Sequence, residues 1–407
     1  MSCKWVKIAL LAGVFSGLCL GMHARAAATD IGGGNGVPAT VSPVPETGAP
    51  APAIVPPAPP VPIRIALLLP LRSETLSRAA EAVRSGFKAA YELEKENTEV
   101  TVVETGDTAQ DTLAAYIEAA ATYDIIVGPL SRTGATAVAQ SGAVSKPTIA
   151  LTPSDPPAEA EPALPQQMLV VGLSVEEEAR QAATWAGAAV KGGKAFVLST
   201  NAAWQRRAAK AFTEQWQRLG QESQWMELNS SSGYLTASGL TQLKTRIQNE
   251  KPALMFIALD AAQAKMLRAE IGNGTPLYGT SQLNPLAMVD WASSDPLPEL
   301  NSVRLLDIPW QLQPEHTAVM AYLRPVTDVG QKRSADLERL YALGIDAYRI
   351  AREIALNHKE FVIDGVTGRL TVSFGKGPAR FQRQEQPAMY QDGMVVPVAS
   401  LQKKEPG

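Results

Sequence analysis

From residue 63 onward, short unbroken apolar runs alternate with stretches of helical period. Ile63–Leu71 reads IRIALLLPL, apolar without interruption from Ile65 to Leu69 and closed by Pro70. A run of this length suits a strand buried on both faces, as in a parallel sheet. Leu71-Arg72-Ser73-Glu74-Thr75 follows as a polar loop, and the spacing then predicts a helix over Ser77–Glu94. Its Ala79, Ala82, Val83, Gly86 and Ala90 form a small-residue face able to lie close on a neighbour.

The alternation continues along the chain. Further strands are predicted at Glu99–Glu104, Asp124–Val127, Thr148–Leu151, Met168–Gly172, Ala195–Ser199, Gln224–Leu228, Ala253–Leu259, Leu277–Gly279 and Val303–Ile308. Helices are predicted between them near Thr108–Ala121, Ser131–Val144, Ala202–Leu219, Leu235–Asn249 and Ala261–Glu270. This order means parallel sheets covered by helices on both faces, and so many strands divide more naturally into two α/β lobes than into one open sheet. Ser174, with Glu177 three residues on, opens a helix over Val175–Val190 that carries the chain from one lobe to the other. A long helix, Ala335–His358, keeps Leu337, Leu340, Tyr341, Gly344, Ile345, Tyr348, Ala351 and Ala355 on one face. After the turn-rich Val362–Gly368, a hairpin is predicted from Arg369–Phe374 and Ala379–Arg383.

The segments before residue 63 read as delivery equipment. Lys4 and Lys7, the apolar Ile8–Leu20 and Ala24-Arg25-Ala26 have the order of a secretory signal over residues 1–26, cleaved after Ala26. Residues 27–62 form a Pro/Ala-rich linker whose composition cannot bury a core. Both cysteines, Cys3 and Cys19, fall inside the signal, so cleavage leaves a protein without thiols, disulfides or thiolate metal sites. Cys19 is the alternative as a lipid-attachment residue, although Leu18 stands where a lipobox has a small residue. The cleaved chain has 34 basic residues against 40 acidic ones, a net charge of −6 that argues against nucleic-acid binding.

The chemistry this sequence offers is sparse. After cleavage only His316 and His358 remain as histidines, too few for His-centred triads or compact metal sites, and no Gly-rich phosphate loop joins a strand to a helix. No catalytic residue, metal site or cofactor is assigned. In an open α/β sheet, ligands bind beyond the carboxyl ends of strands. That rule selects Arg72, Ser73, Glu74, Ser131 and Thr152 in the first lobe, and Thr200, Asn201, Asp260, Thr280 and Ser281 in the second. The same residue types at strand ends are also ordinary helix caps. Trp310, after Asp307-Ile308-Pro309, reads either as an exposed partner anchor or as a packing residue between lobes. Asp346 and Arg349 are spaced to pair on the long helix, with a lobe-to-lobe contact as the other role for Asp346.

Several motifs together resemble the type I periplasmic-binding-protein superfamily over about residues 63–395, and more closely the LppC-type penicillin-binding protein activators. They are Ile65–Leu71, Ile126-Val127-Gly128-Pro129-Leu130, Leu277–Ser281, Asp307–Trp310, and above all Arg339–Arg349 with Gly365-Val366-Thr367-Gly368-Arg369-Leu370. The resemblance implies two doubly wound parallel-sheet lobes joined by crossovers. Residues 63–173 with 312–358 form one lobe, 174–311 with 359–395 the other, and 396–407 a tail. It implies a non-enzymatic periplasmic accessory factor whose partner is a class A penicillin-binding protein, a peptidoglycan synthase. Outer-membrane attachment follows only if Cys19 is lipidated. The rival reading is a solute receptor of an ABC importer for amino acids, with a small ligand between the lobes. Amino-acid binders of the superfamily usually place a glycine soon after the Pro-Leu of the first strand. Here Arg72 and Glu74 stand there, and their long side chains are expected to occupy the cleft. Longer family members carry a helical-repeat arm that the linker replaces in this chain.

Overall fold

The computed structural model describes residues 61–398 apart from 96, 155–163, 191, 287–294, 326–332 and 376. The segment read as a signal peptide, with Cys3 and Cys19, the stretch read as a linker up to residue 60 and the residues from 399 onward lie outside the described residues.

The first sheet is parallel throughout, in the order β2-β1-β3-β4-β5. Its strands are β1 (Ile63–Leu69), β2 (Thr98–Glu104), β3 (Ile125–Val127), β4 (Thr148–Ala150) and β5 (Met168–Val170). The helices α1 (Ser77–Leu93), α2 (Ala109–Thr122) and α3 (Arg132–Gln140) connect them. Side chains alternate across a strand, and β1 shows the consequence. Ile65, Leu67 and Leu69 bury with Val83 and Phe87 of α1, whereas Ala66 and Leu68 bury with Tyr116 of α2 and Val138 of α3. Both faces of the strand are core, which is why its sequence lacks polar alternation.

The second lobe is built from α4 (Val175–Ala189), β6 (Ala195–Ser199), α5 (Ala203–Arg218), β7 (Ser223–Glu227), a separate small hairpin of β8 (Ser230–Ser231) and β9 (Tyr234–Leu235), then α6 (Ala237–Glu250), β10 (Leu254–Ile257), α7 (Ala261–Ile271), β11 (Leu277–Gly279) and β12 (Arg304–Asp307). Two short helices, α8 (Pro309–Leu312) and α9 (Thr317–Met320), precede the long α10 (Ala335–Ala355). The chain ends in β13 (Glu360–Gly365), β14 (Gly368–Ser373), β15 (Arg380–Gln384), β16 (Gln386–Gln391) and β17 (Met394–Pro397). The second sheet runs β17-β16-β12-β11-β10-β6-β7, parallel from β12 to β7 and extended by antiparallel β16 and β17.

α10 closes the first lobe, with Tyr341, Ile345, Tyr348 and Ile350 in the same core as β1 and α1. The segment expected to belong wholly to the second lobe, 359–395, divides instead. β13, β14 and β15 form a separate antiparallel sheet, and its Ile363, Leu370, Val372 and Phe374 join the first core. Ala388, Tyr390 and Val395 of the following hairpin bury in the second core. The cause is the alternation in β14, which turns Leu370 and Val372 toward α10 while Arg369 and Thr371 stay exposed.

Candidate functional site at the interlobe seam

The strand-end residues of the first lobe are largely occupied by their own loops. The Ser73 hydroxyl accepts from the backbone N–H of Leu76 at 2.8 Å and bonds the Asp107 carboxylate. Arg72 is not a cleft-filling side chain: its guanidinium turns to Asp111 in the first turn of α2, at 3.1 Å, while Glu74 is solvent-exposed. The expectation that Arg72 would occupy the cleft is therefore corrected, since a nearby carboxylate at a helix start holds it inside its own lobe. Ser131 caps α3 by accepting from Gly134 N–H at 3.2 Å, and Thr152 is half-buried.

In the second lobe, the Thr200 side chain accepts from Ala202 N–H at 3.2 Å and Asn201 is exposed. Asp260 forms a full capping box with Gln263 at the start of α7. Thr280 is fully buried, and its hydroxyl has no hydrogen-bond partner. Ser281 differs from these, because its backbone N–H and hydroxyl donate to Glu178 of α4 at 2.7 and 3.1 Å. The structure thus brings Ser281 into a wider polar network and leaves most of the other candidates as local caps.

Arg339, on the first-lobe helix α10, is the centre of that network. Its guanidinium donates to both Asp307 oxygens at 3.0 and 2.7 Å, to the carbonyls of Ser281 and Asn284 at 3.0 and 2.8 Å, and to Asp336 at 2.9 Å. A planar fork of donors suits this convergence of carboxylate and carbonyl oxygens. Asp307, at the end of β12, also accepts from Asn284 Nδ2 and from Ile308 N–H, both at 2.8 Å. A helix of the first lobe is thereby fastened to two strand ends of the second. Burial works against the Arg339 charge, but Asp307 outweighs it and holds the guanidinium above its ordinary pKa.

Two further ties hold the β13–β15 sheet to the first lobe. Asp346 of α10 accepts from Val366 N–H at 3.1 Å and from Thr367 N–H and hydroxyl, both at 2.7 Å, at the β13–β14 turn. Arg349 also stands 3.5 Å from Asp346, so the spaced pair and the longer-range contact coexist. Arg383 of β15 donates to the Thr367 hydroxyl and to the carbonyls of Gly172 and Val171, where the chain leaves the first sheet. On another part of the seam, Glu176 of α4 joins Arg132 of α3 at 3.1 Å and Arg207 of α5 at 2.7 Å. Burial alone would raise the Glu176 pKa, but its own backbone N–H, Arg132, Ser174 and Arg207 together bring it below the ordinary carboxylate value.

Trp310 is not an exposed anchor. It is fully buried, its indole N–H donates to Glu338 at 2.7 Å, and Arg324 lies over the ring 4.1 Å from its centroid. The apolar run before it and Pro309 at the start of α8 turn the ring into the first-lobe core against Tyr341. His316 stands at the start of α9 and lies 3.3 Å from Asp364, and His358, just past α10, bonds Glu353 at 2.6 Å.

A cavity of about 800 Å³ opens beside Arg339, between the starts of α7 and α10 and the loop after β11. Asp260, Lys265, Gln282, Asn284, Arg333 and Asp336 contribute to its lining. Asp260 is the one strand-end candidate among its lining residues. Asn284 is buried there with its side-chain oxygen unpartnered. The described residues hold no cluster of His, Cys, Asp and Glu fit for a metal, and no described helix is long and apolar enough to cross a membrane.

Sequence reasoning missed Glu178 and Arg339, which meet through Ser281, and Arg383, which binds Thr367 and the carbonyls of Val171 and Gly172. Arg339 lay within a motif already singled out, and its place one turn into an apolar helix was the available signal. Glu178 carried none, because a glutamate in the first turn of a helix is ordinary.

A family model described as "LppC putative lipoprotein" matches residues 60–393. Among solved structures, a Chromobacterium violaceum protein described as a "putative branched-chain amino acid ABC transporter" is 32% identical, with 81% of this chain and 100% of that chain covered at a TM-score of 0.62. The C-domain of LpoA (YraM) from Haemophilus influenzae, described as a regulator of PBP1A, is 22% identical over 82% of this chain and 99% of that one, with a TM-score of 0.62. Full-length LpoA from the same organism is 21% identical with a TM-score of 0.64; the match covers 83% of this chain but only 59% of that protein. At these identities the LpoA likeness shows the fold, a type I periplasmic-binding-protein-like architecture with parallel-sheet cores. No curated protein matches the sequence.

Proposed function

Because the chain belongs to the LppC family, matched over residues 60–393, we propose that it is a non-enzymatic periplasmic activator of a class A penicillin-binding protein. Relatives of this kind, a synthase regulator and solute-binding proteins, are non-catalytic. The observation that carries the reading is the Arg339 tie. A solute receptor must open and close its lobes around a ligand, whereas here a buried guanidinium fastens α10 to the ends of β11 and β12. The Glu176–Arg132 pair adds to the same restraint. Such a body is a fixed platform for a protein partner. The test is direct: the purified chain should raise the glycan-polymerising or transpeptidase rate of a class A synthase from the same cell envelope and co-purify with it. No stimulation and no co-purification would overturn the reading.

A second reading, a receptor for an amino acid or related solute, is favoured by the Chromobacterium violaceum relative and by the cavity beside Asp260. A ligand that binds only the folded protein raises its melting temperature by mass action. Under the activator reading no common amino acid does so. One saturable stabiliser would promote the receptor.

A further inference from the structure

The loop from α7 to β11 is fastened at both ends and free in the middle. Gly272 ends α7 with φ at 71°, and its N–H donates to the Arg268 carbonyl at 3.0 Å. The Arg268 side chain reaches forward under the loop, where Nη1 donates to the carbonyls of Gly272 and Thr275 at 3.0 and 3.3 Å. Just beyond, the Pro276 carbonyl accepts from Met255 N–H of β10 at 2.9 Å. Between these anchors Asn273 and Gly274 are exposed, and neither has a hydrogen bond among the described residues. A β-carbon on Gly274 would meet no atom within 4 Å, and its φ is not left-handed.

The anchoring side chain is itself incompletely satisfied. Arg268 is buried, forms no ion pair among the described residues and leaves Nε without an acceptor. Burial, with no carboxylate to oppose it, lowers its pKa.

Among the described residues, Asn273 is the one asparagine that a glycine follows. Asparagine is a thermolabile residue, and a following glycine has no side chain to hinder approach of its nitrogen. Two similar steps, with aspartate before glycine, are closed by the fold. Gly393, after Asp392, donates its N–H to Asn301 Oδ1 at 2.8 Å, and a β-carbon on it would stand 2.7 Å from the Leu297 nitrogen. Gly365, after Asp364, lies in the β13–β14 ladder opposite Gly368.

We propose that Asn273-Gly274 is a site of spontaneous deamidation that the fold leaves open. The Gly274 nitrogen attacks Cγ of Asn273 and forms the new N–Cγ bond. Its proton passes through solvent to the side-chain amide nitrogen, which departs as ammonia when the old C–N bond breaks. Water then opens the succinimide ring at either carbonyl, giving aspartate or isoaspartate at position 273. No oxidation or reduction occurs. Either product adds a negative charge to the loop that wraps the unpaired Arg268 guanidinium. Isoaspartate also lengthens the backbone between the two carbonyls that Arg268 holds, so it should loosen the entry to β11. The proposal goes beyond the activator reading and does not depend on it.

The experiment incubates the full chain at pH 8, folded in buffer and unfolded in guanidinium chloride, and follows each site by peptide mapping. Exchange of amide for acid is read by mass, and isoaspartate by an isoaspartyl methyl-transfer assay. In the folded chain the Asn273 peptide should convert within a few-fold of its unfolded rate, whereas Asp392 should yield isoaspartate only when unfolded. Suppression of Asn273 by folding to the degree seen at Asp392 would overturn the proposal. Gly274→Ala, for which the space is open, should keep the melting temperature and slow the conversion several-fold. An unchanged rate in that variant would reject attack by the residue 274 nitrogen. If the variant melts lower, the comparison of folded with unfolded parent chain decides.

Discussion

Gly344 of α10 lies directly against the backbone of Val83 in α1. A β-carbon on residue 344 would meet the Val83 carbonyl oxygen and stand 2.7 Å from the Phe87 nitrogen. The contact is reciprocal, since a β-carbon on Gly86 would meet the carbonyl of Tyr341. The two helices cross where neither has a side chain. Because the obstruction is backbone on both sides, no rotamer change relieves it. Gly344→Leu should therefore cost about 3 kcal/mol or more, the upper part of the range for overpacked cores. Denaturant unfolding measures it, and a loss below about 1 kcal/mol would mean that the helices do not cross at this point.

Trp310 should behave as a core residue. Trp310→Ala removes a fully buried ring and leaves the Glu338 carboxylate short of a donor, for a loss of about 3–5 kcal/mol. Trp310→Phe keeps most of the volume and removes the indole N–H, so a smaller loss of about 1–3 kcal/mol isolates that bond. Equal losses for the two variants would show that packing contributes little.

The elements were legible because each rests on local pattern. β1 declares itself by an unbroken apolar run, and α10 by a stripe that includes Gly344. The fastening of one lobe to the other was not legible. Arg339 lay inside a singled-out motif, but nothing local shows that it binds Asp307 across 32 positions of sequence. The strand-end rule found Ser281, but Ser131 and Asp260 satisfied the same rule as plain caps. Periodicity showed Leu370 and Val372 as one face of a strand, yet it carries no information about which core that face meets.

Glu176 should link stability to acid. Its carboxyl lies below its ordinary value in the fold, so its contribution is present above about 4.5 and is lost as pH falls through the folded value. Glu176→Gln should lower stability near neutral pH by about 1–3 kcal/mol and make the acid limb of the unfolding curve shallower. Urea midpoints taken from pH 7 down to pH 3 test both. A variant with the same acid limb as the parent would remove Glu176 from the account.

Processing has a mass signature. With cleavage after Ala26, the mature protein starts at Ala27 and washes out with periplasmic contents. A diacylglyceryl adduct on Cys19 in intact-mass analysis would instead make the chain a lipoprotein. The Pro/Ala segment would then tether the folded body to a membrane, because stable attachment takes more than one acyl chain.

The Arg339–Asp307 pair offers the sharpest test of the fixed platform. Arg339→Met leaves Asp307, fully buried, with a charge that only Asn284 and the Ile308 N–H address. Breaking a buried pair from one side costs about 3–5 kcal/mol, mostly through the charge left behind. Replacing Asp307 as well, in Arg339→Met/Asp307→Leu, removes that charge and should recover much of the loss. Stability and lobe restraint then separate, because the double variant is folded while α10 no longer grips β11 and β12. If restraint underlies stimulation of the synthase, the double variant should stimulate poorly despite its recovered melting temperature. Full stimulation by a stable double variant would show that the partner reads a surface of one lobe, with the seam serving stability alone.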